Sequence, residues 1–135
     1  MKCPRSALPG EDFGYPVAMA VAGLLSERAR ELVAARFRAL GEPTRLKILE
    51  RLFHSPASVG EILKATGGTQ ANVSKHLAVL HAGRLVARAK DGNRIVYSIS
   101  DPALERICSI VCATVESDAR EEARAIAPAR SRKNR

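Results

Sequence analysis

Apolar residues in this chain recur mostly at intervals of three and four, the period of an amphipathic helix. From Val17 to Leu40, Leu25, Ala29, Leu32, Val33 and Phe37 line one face while Arg28, Glu31, Arg36 and Arg38 lie off it, and Gly41 ends the run. Pro43 suits the first turn of a second helix, with Leu46, Leu49, Leu52 and Phe53 turned inward. Ser55-Pro56 breaks the chain. Ser58 with Glu61 three residues later is a capping-box signature for a short third helix, Val59 to Ala65. Gly67-Gly68 makes a turn, and Thr69 is a good N-cap for a fourth helix that stops near Gly83. In that helix Val73, Leu77 and Leu80 form one thin buried stripe.

The period then changes. Leu85 to Lys90 and Arg94 to Ile99 alternate with period two and are joined by Asp91-Gly92-Asn93, which predicts a β-hairpin. Tyr97 reads as core. Asp101-Pro102 caps a final helix with a seam of Leu104, Ile107, Val111 and Val115. The flanks lack this order. Residues 1–16 carry three prolines and two glycines and read as a flexible arm. Residues 121–135 are charged, and Ala129 to Arg135 is a basic tail. One domain, residues 17–120, holds the patterned region, and its fold class is mainly α with a small β-hairpin.

Composition agrees with a helical fold. There is no Trp and aromatics make up only 4%, so the core of this 135-residue chain rests on Leu, Ile, Val and Ala. Three cysteines, Cys3, Cys108 and Cys112, make no disulfide framework for a small secreted domain. The apolar run Val17 to Leu25 is too short to span a bilayer, and Glu11 and Asp12 separate it from Lys2 and Arg5. A reduced, cytoplasmic chain without a membrane partner is the simplest account.

Charge changes the picture more. Of the formal +8, residues 36–100 carry 11 Lys/Arg against 4 Asp/Glu, and no acidic residue falls between Glu61 and Asp91. That basic block coincides with the helix–helix–hairpin pattern, which favours nucleic-acid binding over a merely solvated surface. On the fourth helix Gln70, Asn72, Ser74, Lys75 and His76 are groups of the kind that read base edges and phosphates, set beside the thin apolar stripe.

The run PTRLKILERL followed by TQANVSKHLAVLHAGRLVARAKDGNRIVYSI resembles the ArsR/SmtB family of winged helix-turn-helix repressors, over roughly residues 30–115. The resemblance implies a homodimer through the first and last helices that binds double-stranded, inverted-repeat operator DNA and is released by a metal ion, a metalloid or a thiol-reactive signal. Carried over by position, it places Thr69, Gln70, Ala71, Asn72, Ser74, Lys75 and His76 on the recognition helix, and Arg88, Lys90, Asn93 and Arg94 on the wing. Ala71 stands where the family often has Ser, so one hydrogen bond is exchanged for a methyl group that suits a thymine methyl. His76 has a second reading, as a packing group between helices. The wing cations have one as a solvated hairpin.

Two metal sites of the family are missing here. Where the third helix would carry Cys-x-Cys, Ser58 and Gly60 stand. Where the last helix would begin Asp-x-His with distal ligands, Asp101 is followed by Ala103, with Thr114 and Ser117 further along. Cys108 and Cys112 remain, one helical turn apart on one face. Clustered thiolates suit a soft ion such as As(III), Cd(II) or Cu(I), and As(III) takes three, to which Cys3 would contribute. Redox or sulfur sensing is the other functional reading, although Glu50 lies in the second-helix region where relatives hold a partner cysteine. An apolar-seam cysteine pair is also commonly plain core.

Three functions therefore compete: an inducible repressor, an inducer-independent regulator with structural cysteines, and a winged-helix module for protein interaction. A basic recognition surface favours the first two. A thiol enzyme is disfavoured, because His54, His76 and His81 all lie away from Cys108 and Cys112 in sequence.

Overall fold

The computed structural model describes residues 26–128. The expected N-terminal arm with Cys3, the start of the helical run at Val17 and the tail from Ala129 lie outside the described residues. The elements are α1 (Glu27–Leu40), α2 (Pro43–His54), β1 (Ala57–Ser58), α3 (Val59–Thr66), α4 (Gln70–Ala82), β2 (Val86–Asp91), β3 (Arg94–Ile99) and α5 (Ala103–Ile126). They divide between two compact units, one running up to Leu104 and the other beginning at Glu105.

In the first unit each helix starts on a side-chain cap. Ser26 Oγ accepts from Ala29 N, the Glu42 carboxylate from Arg45 N at 2.8 Å, and Thr69 Oγ1 from Asn72 N at 3.2 Å. These bonds satisfy donors that a helix N-terminus otherwise leaves open. The Ser58–Glu61 capping box is half made: Ser58 Oγ accepts from Glu61 N at 3.3 Å, while the Glu61 carboxylate turns to two arginines instead.

The core gathers Ile48, Leu49 and Leu52 of α2, Ile62 of α3, and Val73, Leu77 and Leu80 of α4, closed by Ala57, Leu85, Val86 and Tyr97. Each large side chain so buried contributes about 1.5–3 kcal/mol. The inward face of α2 is rotated from the expected one. Leu46 is 38% exposed and Phe53 only half-buried, whereas Ile48 is fully buried. Residues two apart stand roughly 200° apart on a helix, so Leu46 and Ile48 cannot both face α3 and α4.

The sheet has three strands rather than the two of the expected hairpin, in the order β1-β3-β2 and antiparallel. Ala57 pairs with Tyr97 and Ser58 with Val96. A two-residue strand is too short to show alternation. The hairpin register runs from Val86↔Ile99 to Asp91↔Arg94, so the connection is the two-residue loop Gly92-Asn93. Gly92 alone of the pair has positive φ, at 62°, the arrangement of a type II′ turn.

The α4 helix ends in a Schellman motif: Leu85 N donates to Leu80 O and Arg84 N to His81 O, both at 3.0 Å. Arg84 therefore takes the left-handed position, with φ 58°, while Gly83 beside it has φ −76°.

The boundary between the units falls within α5, a 24-residue helix about 36 Å long at the usual helical rise. The Asp101 carboxylate caps its start by accepting from Ala103 N at 2.9 Å. The helix continues to Ile126, past residue 120 where the patterned domain was expected to stop. Of its expected seam Leu104 is buried, whereas Ile107, Val111 and Val115 are exposed. No described helix is long and apolar enough to cross a membrane.

Candidate nucleic-acid interface

Gly67 and Gly68, with φ 73° and 86°, let α3 turn into α4 through backbone angles that side chains resist. Gly67 N closes α3 by donating to Leu63 O at 2.8 Å, and Thr69 restarts the chain in extended geometry. The result is a helix-turn-helix whose second helix buries Val73, Leu77 and Leu80. Gln70, Ala71, Asn72, Ser74 and Lys75 are exposed, and Ala71, Ser74, Lys75 and Ala78 recur at helical spacing along the outer side. The side chains of Gln70, Asn72, Ser74 and Lys75 have no hydrogen-bond or ion-pair partner among the described residues, so their polar atoms are open to a ligand. Thr69 is exposed, but its hydroxyl is spent on the cap.

His76 differs from this group. Only 14% of its side chain is exposed, and Nδ1 lies 3.6 Å from Glu42 Oε2 and 3.4 Å from Arg45 Nη1. It points toward α2 rather than outward. Partial burial disfavours the Glu42 carboxylate, but the backbone N–H groups of Arg45 and Thr44, the charge of His76 and the Thr44 hydroxyl outweigh it and hold Glu42 below the usual carboxylate range. Arg45 Nε and Nη2 reach the carbonyls of Ala39 and Arg38 at the end of α1.

On the hairpin, paired residues share a face. Arg88 opposite Tyr97 and Lys90 opposite Ile95 lie on one face, Arg94 opposite Asp91 on the other. Arg88, Lys90 and Asn93 are exposed and make no ion pair among the described residues. Arg94 is held: Nη1 lies 3.1 Å from Glu61 Oε1, and Nη2 lies 3.8 Å from Asp91. Glu61 also meets Arg51 at 3.5 Å. The structure thus brings the polar face of α4 and the β2–β3 hairpin into one unit, with two wing cations open and one partly neutralised. Tyr97 is buried, as its sequence position suggests.

Glu42, Arg45 and the Arg51–Glu61–Arg94 chain were missed in the sequence. Their signal was present: a charged pair three residues apart around Pro43, and a lone acidic residue before a long basic stretch.

Cys108 and Cys112 are free thiols on α5, both half-buried. Burial pushes the Cys108 thiol above its ordinary range, and the neighbouring Cys112 adds to the effect. That is the opposite of an activated nucleophile. Among the described residues no group of three or more His, Cys, Asp or Glu is placed to hold a metal ion. Two thiols suit a soft ion as part of a ligand set and fall short of the three that As(III) takes.

Comparison with known proteins gives this geometry its family. The family model of the bacterial regulatory proteins of the arsR type matches residues 42–88, from the Glu42 cap to the first strand of the wing. The HTH-type transcriptional regulator Rv0081 of Mycobacterium tuberculosis is 38% identical over 97 residues, which cover 69% of this chain and 85% of that protein. Among solved structures, the homodimeric winged helix-turn-helix DNA-binding domain of Mb0332 from Mycobacterium bovis superposes with a TM-score of 0.65 at 29% identity, covering 74% of this chain and 94% of that one. The AntR antimony-specific transcriptional repressor superposes with a TM-score of 0.64 at 27% identity, covering 77% and 95%. With the helix-turn-helix, the three-stranded wing and these relatives in agreement, the chain belongs to the ArsR family of winged helix-turn-helix transcriptional regulators.

Proposed function

We propose that this regulator is a homodimeric repressor whose α4 helices enter successive major grooves of an inverted-repeat operator. The observation that carries the reading is the open polar face of α4, backed by a rigid apolar stripe and flanked by Arg88 and Lys90. In this reading Gln70, Asn72 and Ser74 meet base edges or nearby phosphates, and Lys75, Arg88 and Lys90 neutralise backbone charge. Thr69, Ala71, Asn93 and Arg94 border the same surface.

Dimer formation is supported by apolar stripes that the described residues leave exposed on two helices. Leu32, Val33 and Phe37 of α1 and Ile110, Val111 and Val115 of α5 are all exposed, with Phe37 at 59% and Val115 at 61%. A second copy would cover both stripes, and the Mb0332 domain is homodimeric.

For the signal, we propose release by a thiol-directed species at Cys108 and Cys112. The i, i+4 spacing offers two sulfurs to a soft metal or metalloid, and a similar protein, AntR, is an antimony-specific repressor. Cys3 or the partner's cysteines would complete a three-thiolate set. The ion would supply soft Lewis acidity that displaces the thiol protons.

A titration of reduced protein against duplexes selected from a random pool tests the whole reading. It is repeated with As(III), Cd(II), Zn(II), persulfide and oxidant, and with Cys108→Ser and Cys112→Ser. Equal binding of selected and random duplex overturns the repressor assignment. Selective binding that no reagent releases makes the cysteines structural and the regulator inducer-independent.

A further inference from the structure

Among the described residues, the imidazole of His76 links the recognition helix to the start of α2. The imidazole Nδ1 of His76 stands 3.4 Å from Arg45 Nη1 and 3.6 Å from Glu42 Oε2. Arg45 is fixed independently of that contact. Its Nε donates to Ala39 O at 2.5 Å and its Nη2 to Arg38 O at 3.2 Å, two carbonyls of the last turn of α1, of which Arg38 O also accepts from Gly41 N at 3.3 Å. Its own N–H is capped by Glu42 at 2.8 Å. The guanidinium therefore joins the end of α1 to the middle of α4, while the backbone of the same residue is held at the start of α2.

We infer that Arg45 is a positioning residue for DNA reading, setting the rotation of α4 through His76. The inference rests on α4 being the DNA reader. A guanidinium has donors and no acceptor, so its hydrogen bond to Nδ1 requires a neutral imidazole with the proton on Nε2. A carboxylate only accepts, so Glu42 engages Nδ1 only when that nitrogen carries a proton. One nitrogen cannot serve both. Neutral His76 is held by Arg45, and protonated His76 is repelled by Arg45 and drawn to Glu42. Among the described residues these two, one on α2 and one its N-cap, are the charged groups in hydrogen-bond or ion-pair reach of the imidazole, while α1 contributes only carbonyls that hold Arg45. Losing the Arg45 anchor frees α4 to turn about its apolar stripe, and Gln70, Ser74 and Lys75 turn with it. Lysine cannot replace the planar fork, because a single ammonium does not reach all three acceptors in fixed directions.

The test measures, at pH 8, the affinity of the full chain for a duplex selected by the wild type and for random duplex. His76→Ala removes the acceptor that faces Arg45 and should lower the ratio of the two about tenfold, the scale of one charge-assisted hydrogen bond. His76→Asn places an amide oxygen near the Nδ1 position and should keep the wild-type ratio. Arg45→Lys should show the low ratio of His76→Ala while circular dichroism remains that of the folded protein. A wild-type ratio in His76→Ala or in Arg45→Lys overturns the inference, as does a His76→Asn ratio as low as that of His76→Ala. If wild type shows no preference for the selected duplex, the DNA-reading assignment fails and this inference falls with it.

Discussion

The Arg94 guanidinium lies 3.1 Å from the Glu61 carboxylate, whose other oxygen is 3.5 Å from Arg51. A strand of the wing is thereby tied across 33 residues to the first turn of α3. Glu61 also lowers the positive charge offered by this surface, since it is the last carboxylate before Asp91. Glu61→Gln should free both arginines and tighten binding to random duplex by roughly three- to tenfold at moderate salt, with a steeper dependence on salt. Filter binding across a salt series checks both effects, and unchanged affinity would mean that the ion pair survives on DNA.

Arg88 and Arg94 should behave differently although both are wing cations. Arg88 has no ion-pair partner to release among the described residues, so Arg88→Ala should reduce the slope of log K against log salt by about 1 and weaken all duplexes alike. Arg94→Ala should do less, because part of its charge is already spent on Glu61. Gln70→Ala should instead lower the preference for a selected duplex, by about 1–3 kcal/mol, and leave the slope in place.

Leu49 and Leu46 separate burial from mere hydrophobicity on one helix. Leu49→Ala, at a fully buried site, should cost about 2–5 kcal/mol. Leu46→Ala, at a site 38% exposed, should cost well under half as much. Urea denaturation of the two variants gives the comparison directly.

Arg84→Gly is expected to stabilise the protein. Position 84 holds φ 58° in the Schellman motif, where glycine carries no Cβ penalty. Against the extra chain entropy of glycine, the net gain should be about 0.5–1 kcal/mol, seen as a rise of a few degrees in Tm.

The Cys108 thiol is raised by burial and by Cys112, so the folded chain holds that proton more tightly than the unfolded chain does. Its contribution to stability is complete below the unfolded thiol pKa and is lost as pH rises through the folded value. Cys108→Ser should therefore show a shallower fall in Tm on the alkaline side of pH 8, by a small amount because the site is only half-buried. The same proton makes soft-metal binding at this pair tighten with pH, which titration at pH 6.5 and 8 measures.

Much of the helix-turn-helix was legible in the sequence because it depends on local rules. Gly67-Gly68 followed by Thr69 announces a turn and a cap, and the Val73, Leu77 and Leu80 spacing marks the buried side of α4. What escaped depends on contacts distant in sequence. β1 forms because Tyr97 and Val96 accept Ala57 and Ser58 as partners, and two residues cannot display a period. The direction of His76 follows from the rotation of α4 against α2, which the spacing of apolar residues leaves loose by some tens of degrees. Arg45 carries no sign that its donors reach back to α1, and Leu46 looked as apolar as its buried neighbours.

The two-residue strand β1 has a mechanical consequence. By pairing with β3 it fastens the wing to the segment that leads directly into α3, so the hairpin and the proposed recognition helix move as one calliper rather than as a helix with a loose flap. The span between the tip at Gly92-Asn93 and the face of α4 is then a property of the protein, and DNA must fit it. A duplex whose groove width or twist departs from that gauge has to deform to be held. Some of its sequence preference would in that case be exercised at base pairs that no side chain touches.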